Sequence, residues 1–321
     1  MKILIIGDPL EELNPKTDTG IFFAEEALFL DHSVFWSTPT QLSLVNSAIY
    51  AKCSELKFKR KLETPLSTPL ANPLLVSGFD TVWIRKDPPF DRSYVSLCWI
   101  LKTIEEKTYF ANRPSALLNF HEKHTPFIAH AKGVLKDHEI VSTWIPDALV
   151  DISEAPAFLK SGPIVTKPWL GHGGHSIKKW NSLKDALNGI AEADLQSTLF
   201  QPYLEEITTA GDRRVFILDG EIIGGLLRLP TKGNFVSNLA QGGTGSLSPL
   251  SEAQIEVCNR IGTFLKASGI FFAGLDVIGT KISEVNITAP TGFRKITELG
   301  GENLARVYLK KVSEEVSRLF P

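Results

Sequence analysis

The chain has 321 residues, with 34 lysines and arginines against 36 aspartates and glutamates, a formal net charge of −2. A composition of 43% hydrophobic and 22% charged residues is that of an ordinary folded protein and excludes a disordered or collagen-like chain. The near-neutral balance, with no basic block, excludes sequence-independent nucleic-acid binding, which needs clustered Lys and Arg against phosphates.

The first apolar run, Lys2 to Ile6, is too short for a signal-peptide core and ends in Gly7-Asp8-Pro9. It reads as a buried strand that leaves at a turn. A helix is predicted over Gly20 to Leu30, capped by Asp18 or Thr19. Strands follow at Val34 to Trp36 and Asp80 to Arg85, then a helix at Tyr94 to Lys107 and a strand at Thr108 to Ala111. Strands alternating with helices imply an α/β fold on a mostly parallel sheet. The middle, about His121 to Glu192, begins helical. It then predicts strands at Pro163 to Lys167 and Ser176 to Trp180 and a helix at Ser182 to Ala191. The last third is strand-rich: Leu199 to Leu204, Arg213 to Leu218, Glu221 to Leu229, Phe271 to Ile278 and Ile282 to Ile287. Asp219-Gly220 marks a tight hairpin turn. Thr231 to Pro249 is polar and glycine-rich, about the length of a lid. No stretch reaches the ~20 apolar residues of a membrane helix. The three scattered cysteines (Cys53, Cys98, Cys258) fit neither a disulfide framework nor a CxxC metal pair. The expected compartment is the cytoplasm, where thiols stay reduced.

A dinucleotide-binding start needs GxGxxG after the first strand, and Gly7 is followed instead by Asp8-Pro9-Leu10-Glu11. The segment Lys167-Pro168-Trp169-Leu170-Gly171-His172-Gly173-Gly174-His175-Ser176 ends a strand in lysine and continues with three glycines in four positions. Such a loop brings bare N–H groups close to an anion; taken alone, it is equally a flexible hairpin tip. His172 and His175 have no third ligand nearby and read as solvated loop histidines. Asp276 lies in the apolar run Phe271 to Ile278, and Glu284 and Asn286, two apart, share one face of the next strand. If Gly279 to Lys281 is the loop, residue 278 pairs with 282 and Asp276 lies opposite Glu284. Opposed carboxylates repel unless something positive sits between them, and an all-oxygen donor set selects a hard cation such as Mg²⁺. The alternative is the solvent face of an ordinary hairpin. Arg85-Lys86-Asp87-Pro88-Pro89-Phe90 follows a strand end, where ligands of open α/β sheets gather. Arg213-Arg214, Arg228 and Arg294 suit a bidentate grip on carboxylate or phosphate.

These segments resemble the prokaryotic-type glutathione synthetase family of the ATP-grasp superfamily. The likeness rests on Ile84-Arg85-Lys86-Asp87-Pro88-Pro89-Phe90-Asp91, Asn112-Arg113-Pro114, Glu122-Lys123 and Lys167 through Gly174. It continues with Gln201-Pro202-Tyr203-Leu204, Gly211-Asp212-Arg213-Arg214-Val215, Asn238 through Gly243, Gly274 through Gly279 and Glu284 through Gly292. It implies an N-terminal pre-ATP-grasp α/β domain (1–120), a central lid domain (121–198) and a C-terminal catalytic sheet (199–321), with ATP between the last two. Lys123 and Lys167 would contact the phosphates, with Gly171, Gly173 and Gly174 closing over them. Gln201, Tyr203 and Leu204 would line the adenine pocket, and Asp212 would reach the ribose. Asp276, Glu284 and Asn286 would hold Mg²⁺, with Mn²⁺ able to substitute. Lys167, Arg214 and Arg228 would be catalytic, and Asp18, Arg85, Asn238, Thr291, Gly292 and Arg294 substrate-binding. The implied reaction joins glycine to the C-terminal carboxylate of γ-glutamylcysteine through an acyl-phosphate, giving glutathione, ADP and phosphate. It needs no protein nucleophile. The implied partners are the small-molecule dipeptide and amino acid, with no nucleic acid or membrane, and further copies of the chain in a homo-oligomer, a tetramer. The chain departs from the family pattern at His175 in the glycine loop, at Val236 and Thr244 where the lid carries arginines, at Ala289 within Thr288-Ala289-Pro290-Thr291, and at Lys295-Ile296. A related ATP-grasp carboxylate–amine ligase with a different amino-acid or peptide substrate is the alternative.

Overall fold

The predicted first strand is the middle of a six-stranded sheet in the computed structural model, which describes residues 1–59, 63–144, 157–239 and 242–319. Lys2–Gly7 pairs in parallel with Ser33–Ser37 and with Thr81–Arg85, and Tyr109–Phe110 extends the parallel order. Strand alternation sends Ile3 and Ile5 to one core and Leu4 and Ile6 to the other. Burial on both faces is why the run is apolar without interruption. Asp18 is the residue that caps the helix Thr19–Phe29, its Oδ1 accepting from the Ile21 N–H at 2.6 Å. The second helix, Arg92–Lys102, starts at an Asp91 cap and stops short of the predicted Lys107. The antiparallel edge, Ser54–Lys57 and Leu66–Pro69, and the small sheet of Leu42–Val45, Ala48–Ala51 and Leu74–Leu75 were not among the predicted elements.

In the middle of the chain, Thr143–Trp144, Thr198–Pro202, Ile164–Pro168 and Lys178–Trp180 form a four-stranded antiparallel sheet in that order. The strand predicted from Ser176 begins at Lys178, because Ser176 turns with φ 60°. Ser182 caps Leu183–Gly189, and this layer has its own small core around Leu159, Ile164, Leu183 and Phe200. The helix Thr125–Ala131 packs elsewhere. Its Ala129, with Leu135, joins the core shared by the N- and C-terminal sheets, and the Glu122 carbonyl accepts from Val285 N–H at 2.9 Å.

The C-terminal sheet is five-stranded and antiparallel, in the order Thr244–Ser246, Glu221–Leu229, Asp212–Leu218, Phe272–Ile278, Lys281–Asn286. Asp219 and Gly220, with φ 51° and 83°, make the expected two-residue turn. The hairpin at Gly279 differs from expectation. Its turn is Gly279-Thr280, so Ile278 pairs with Lys281, and a bulge adds one residue before Glu284. The shorter turn and the bulge cancel, and Asp276 faces Glu284 after all. Two 16-residue helices, Glu252–Ala267 and Leu304–Leu319, cover the two faces of this sheet and were missed. Their signal was present: Val257, Cys258, Ile261 and Leu265, and likewise Leu304, Tyr308, Leu309 and Val312, recur at helical spacing. Ala240 and Gln241, in the segment quoted above, lie outside the described residues.

Candidate active site

Period-two alternation builds the site. On Asp212–Leu218, Val215 and Ile217 turn into the core, while Asp212 and Arg214 face the other way. Register then lines up Arg228 with Asp212, Arg214 with Asp276, and Asp276 with Glu284, while Asn286 stands opposite Gly274. Arg213, on the opposite face, donates to the Ser248 carbonyl at 2.8 Å and takes no part.

Each of the two opposed carboxylates has its own cations. Arg214 grips Asp276 with Nε at 2.6 Å and Nη2 at 3.2 Å, and Arg228 Nη2 lies 3.0 Å from the same carboxylate. Arg228 also clasps Asp212, Nε to Oδ1 at 2.9 Å and Nη2 to Oδ2. Glu284 lies 3.4 Å from Lys167 Nζ and 3.5 Å from Lys123 Nζ. Burial alone would raise the Asp276 carboxyl, but the guanidiniums of Arg214 and Arg228 outweigh it and hold it well below its ordinary value. Glu284 is likewise held low by Lys123 and Lys167 against its burial. Burial pulls the Lys167 amine down, opposed by Glu284. Gly274 leaves room for this arrangement, since a Cβ there would lie 3.0 Å from Arg214 Cδ and 3.1 Å from Pro290 Cβ.

A cavity of about 420 Å³ opens over this row. The C-terminal sheet supplies Asp212, Arg214, Arg228, Asp276, Glu284 and Asn286. From the central sheet come Lys167 and Gln201, from the segment just after it Tyr203 and Leu204, and from the glycine loop Gly173 and Gly174. Those two glycines, at φ 63° and 78°, hold a left-handed conformation that other side chains rarely adopt. Val165, Ile177, Ile207 and Ile278 give the same region an apolar lining suited to a flat ring. Tyr203 is held between Lys179 Nζ, 3.4 Å from its ring centre, and Phe235, edge-on at 6.1 Å. Lys123 lies behind the wall, donating to the Gly171 carbonyl and so tying the glycine loop to Glu284.

Asn238 and Thr291, both expected at the substrate, line the cavity; Asp18, Arg85, Gly292 and Arg294 do not. Arg294 is tied to Glu25 at 2.8 Å and stacks 4.4 Å over Phe22, and Gly292 turns with φ 116° at the start of Phe293–Glu298. His172 is exposed, as expected of a loop histidine. It lines the cavity, and burial, then His175 and Lys123, pushes its ring below the ordinary value. Glu122 was quoted only as a neighbour of Lys123. It is buried, accepts from Thr288 Oγ1 at 2.7 Å, and is pushed up to about 7 by burial and then by Glu284. Asp87 and Ser283 also reach the cavity. Their signals were weak: Ser283 enters through the bulge, which spacing does not reveal.

The donor set suits a hard cation. Asn286 commits its Nδ2 to the Gly274 carbonyl at 3.1 Å, which leaves its amide oxygen as the free acceptor beside two carboxylates. Among the described residues no group of three or more His, Cys, Asp or Glu stands together.

Residues 1–117 match the model of the prokaryotic glutathione synthetase N-terminal domain, and residues 139–301 that of the prokaryotic glutathione synthetase ATP-grasp domain. Over 316 residues the chain is 32% identical to glutathione synthetase of Parasynechococcus marenigrum, covering 95% of this chain and 96% of that one. Over 315 residues it is 30% identical to glutathione synthetase of Mesorhizobium japonicum, covering 96% of each. Among solved structures, the ATP-grasp ligase PsnB, complexed with a phosphomimetic variant of a minimal precursor, Mg and ADP, is similar with a TM-score of 0.59. Its identity is 18%, over 97% of this chain and 98% of that one, a likeness of fold.

Proposed function

The chain belongs to the prokaryotic glutathione synthetase family, and we propose that the row of cross-strand ion pairs from Arg228 to Glu284 is where its ligation takes place. The activity is ATP-dependent glutathione synthesis, the work of a carbon–nitrogen ligase on an ATP-grasp fold. The terminal carboxylate of γ-glutamylcysteine attacks the γ-phosphate of ATP, forming an acyl-phosphate and releasing ADP. The glycine amine then attacks the acyl carbon and phosphate leaves.

Lys167 holds the polyphosphate, with Gly173 and Gly174 folded over it, while Lys123, behind the wall, anchors the loop at Gly171 and adds positive charge from there. Gln201, Tyr203 and Leu204, with the neighbouring isoleucines, take the adenine, and Asp212 stands by the ribose. Arg214 and Arg228 face the reacting carboxylate and phosphoryl oxygens and steady the charge that develops there. Mg²⁺, or Mn²⁺ in its place, held by Asp276, Glu284 and Asn286, would supply neutralisation of the phosphate charge. Asn238 and Thr291 border the substrate end. Enclosure by the central layer keeps water from the acyl-phosphate.

The observation that carries this assignment is the pair of opposed carboxylates, each with its own two cations, on the floor of one cavity. Replacing Glu284 by Gln tests it: turnover should vanish while circular dichroism shows that the protein stays folded. Unchanged turnover refutes the metal assignment. The same proposal divides the chain at 1–120, 121–198 and 199–321; the separate core of the central layer supports a distinct middle unit, whose sheet also takes in Thr198–Pro202. It places the protein in the cytoplasm, in keeping with three unpaired buried cysteines, as a homo-oligomer.

A further inference from the structure

The glycine loop carries two histidines that the ligation chemistry leaves unused. His172 and His175 form the shoulders of a tight turn. The His175 N–H donates to the His172 carbonyl at 3.1 Å across Gly173 and Gly174, both left-handed. The bare Gly173 lets the His175 ring lie back over the turn, since a Cβ there would stand 3.2 Å from His175 Cδ2. The two rings meet edge to face, with 6.0 Å between centres and 74° between planes. Both side chains are exposed, and His172 lines the cavity.

The charged groups facing His172 are basic. Partial burial, then His175 on the same turn, Lys123 ahead of the helix Thr125–Ala131 and Lys86 just past the strand Thr81–Arg85, all favour its neutral ring. The two lysines have acids of their own, Glu284 at 3.5 Å from Lys123 and Asp8 at 2.7 Å from Lys86. Among the described residues neither imidazole is paired with a carboxylate. The rest of the wall has little positive charge to offer an incoming anion. Lys167 is engaged by Glu284, Arg214 by Asp276, and Arg228 by Asp212 and Asp276. Asp87 and Glu122 add two more carboxyls to the lining, and the stretch Phe235 to Asn238 adds no cation. Among the described residues, His172 is the one lining side chain that becomes positive by taking a proton near neutral pH.

We propose that His172 binds the terminal phosphate of the nucleotide as an imidazolium, taking up a proton as the polyphosphate enters, with the His175 ring edge-on behind it. This rests on the ATP site proposed above. A phosphate oxygen against the ring changes its surroundings from cations alone to an anion, and so favours the charged form. The bound proton then adds positive charge at the reacting phosphoryl group, where the paired cations of the floor are already shared with carboxylates. The loop thereby distinguishes nucleotides by their third phosphate, because one that lacks it leaves the ring neutral.

Histidine ring NMR of the full-length protein, titrated through neutral pH, tests this under three conditions: Mg²⁺ alone, Mg²⁺ with ADP, and Mg²⁺ with the non-hydrolysable β,γ-imido-ATP. The His172→Gln variant identifies the signal. With Mg²⁺ alone or with ADP the His172 midpoint should lie below the ordinary value of about 6.5, and with imido-ATP it should rise by about one pH unit, a tenfold change in proton affinity. In steady state, KM for ATP in the parent should climb as pH rises past that midpoint. In His172→Gln it should be about tenfold higher on the acid side and nearly independent of pH, a change of profile that a merely structural residue would not produce. If no histidine of the parent moves by more than about 0.3 unit on binding imido-ATP, the proposal is overturned, whether or not the variant folds. A shifted signal that survives in His172→Gln, or an equal shift with ADP, also overturns it. Failure of imido-ATP to bind, read by calorimetry, overturns the nucleotide site and this proposal together.

Discussion

Replacing Arg228 by methionine removes the cation shared by two buried carboxylates. Arg228 is 5% exposed and Asp212 6%. Asp276 would keep Arg214 at 2.6 Å, but Asp212 would lose both of its guanidinium bonds. Breaking a buried pair from one side leaves an uncompensated charge and costs about 3–5 kcal/mol. At about 1.4 kcal/mol per factor of ten, that is roughly a hundredfold to a few thousandfold in the local opening equilibrium. Native-state hydrogen exchange at the Val215 and Leu275 amides, in the strands that carry Asp212 and Asp276, reads that quantity directly. Protection there should fall by this factor in Arg228→Met. It should recover by at least tenfold in Arg228→Met/Asp212→Asn, where the stranded charge is gone as well. Protection within fivefold of the parent in the single variant, or a double variant no better than the single, would refute the description of Arg228 as the compensating charge of this sheet.

Two further outcomes follow from the packing and the charges. Gly274→Ala should cost about 1–3 kcal/mol and lower kcat, because its Cβ would meet Arg214 Cδ at 3.0 Å and Pro290 Cβ at 3.1 Å; a parent-like unfolding midpoint with unchanged kcat would show that the arginine does not need that space. His121 is pushed down to about 4 by burial and then by Lys123, so the folded state holds it neutral while the unfolded chain protonates near 6.5. Stability from this group is therefore complete above pH 6.5 and lost as pH falls towards 4, by as much as about 3 kcal/mol. The acid-side drop in unfolding free energy should be smaller by that amount in His121→Gln, and identical slopes in the two proteins would remove the assignment.

How far the fold shows in the sequence depends on what sets each element. Lys2–Gly7, buried on both faces, advertises itself as an unbroken apolar run, and Asp219-Gly220 carries its turn in its backbone preferences. The edge strand Leu66–Pro69 is exposed throughout and has no such pattern, since pairing rather than burial makes it a strand. The opposed pair Asp276 and Glu284 was legible through parity, but for an incomplete reason. A three-residue loop was assumed where a two-residue turn and a bulge stand, and the two errors cancel in register. Spacing could not separate Arg214 from Arg213, adjacent residues on opposite faces, until the sheet showed which face is the floor. Nor could it show that Arg294 is neutralised by Glu25, a partner 269 positions away. His172 reads as solvated and is exposed, but spacing could not show that its loop also borders the cavity.

The most direct test of the central claim is phosphate release from ATP and Mg²⁺ in the presence of γ-glutamylcysteine, with and without glycine, followed by mass analysis of the product. Val236 and Ala289, two positions where the chain departs from its family, line the cavity, so the amine needs to be tested against a panel of amino acids. Glycine-dependent phosphate release, with glutathione formed in equal amount, is the predicted result. Release that glycine does not stimulate, or that another amino acid stimulates in its place, would contradict it.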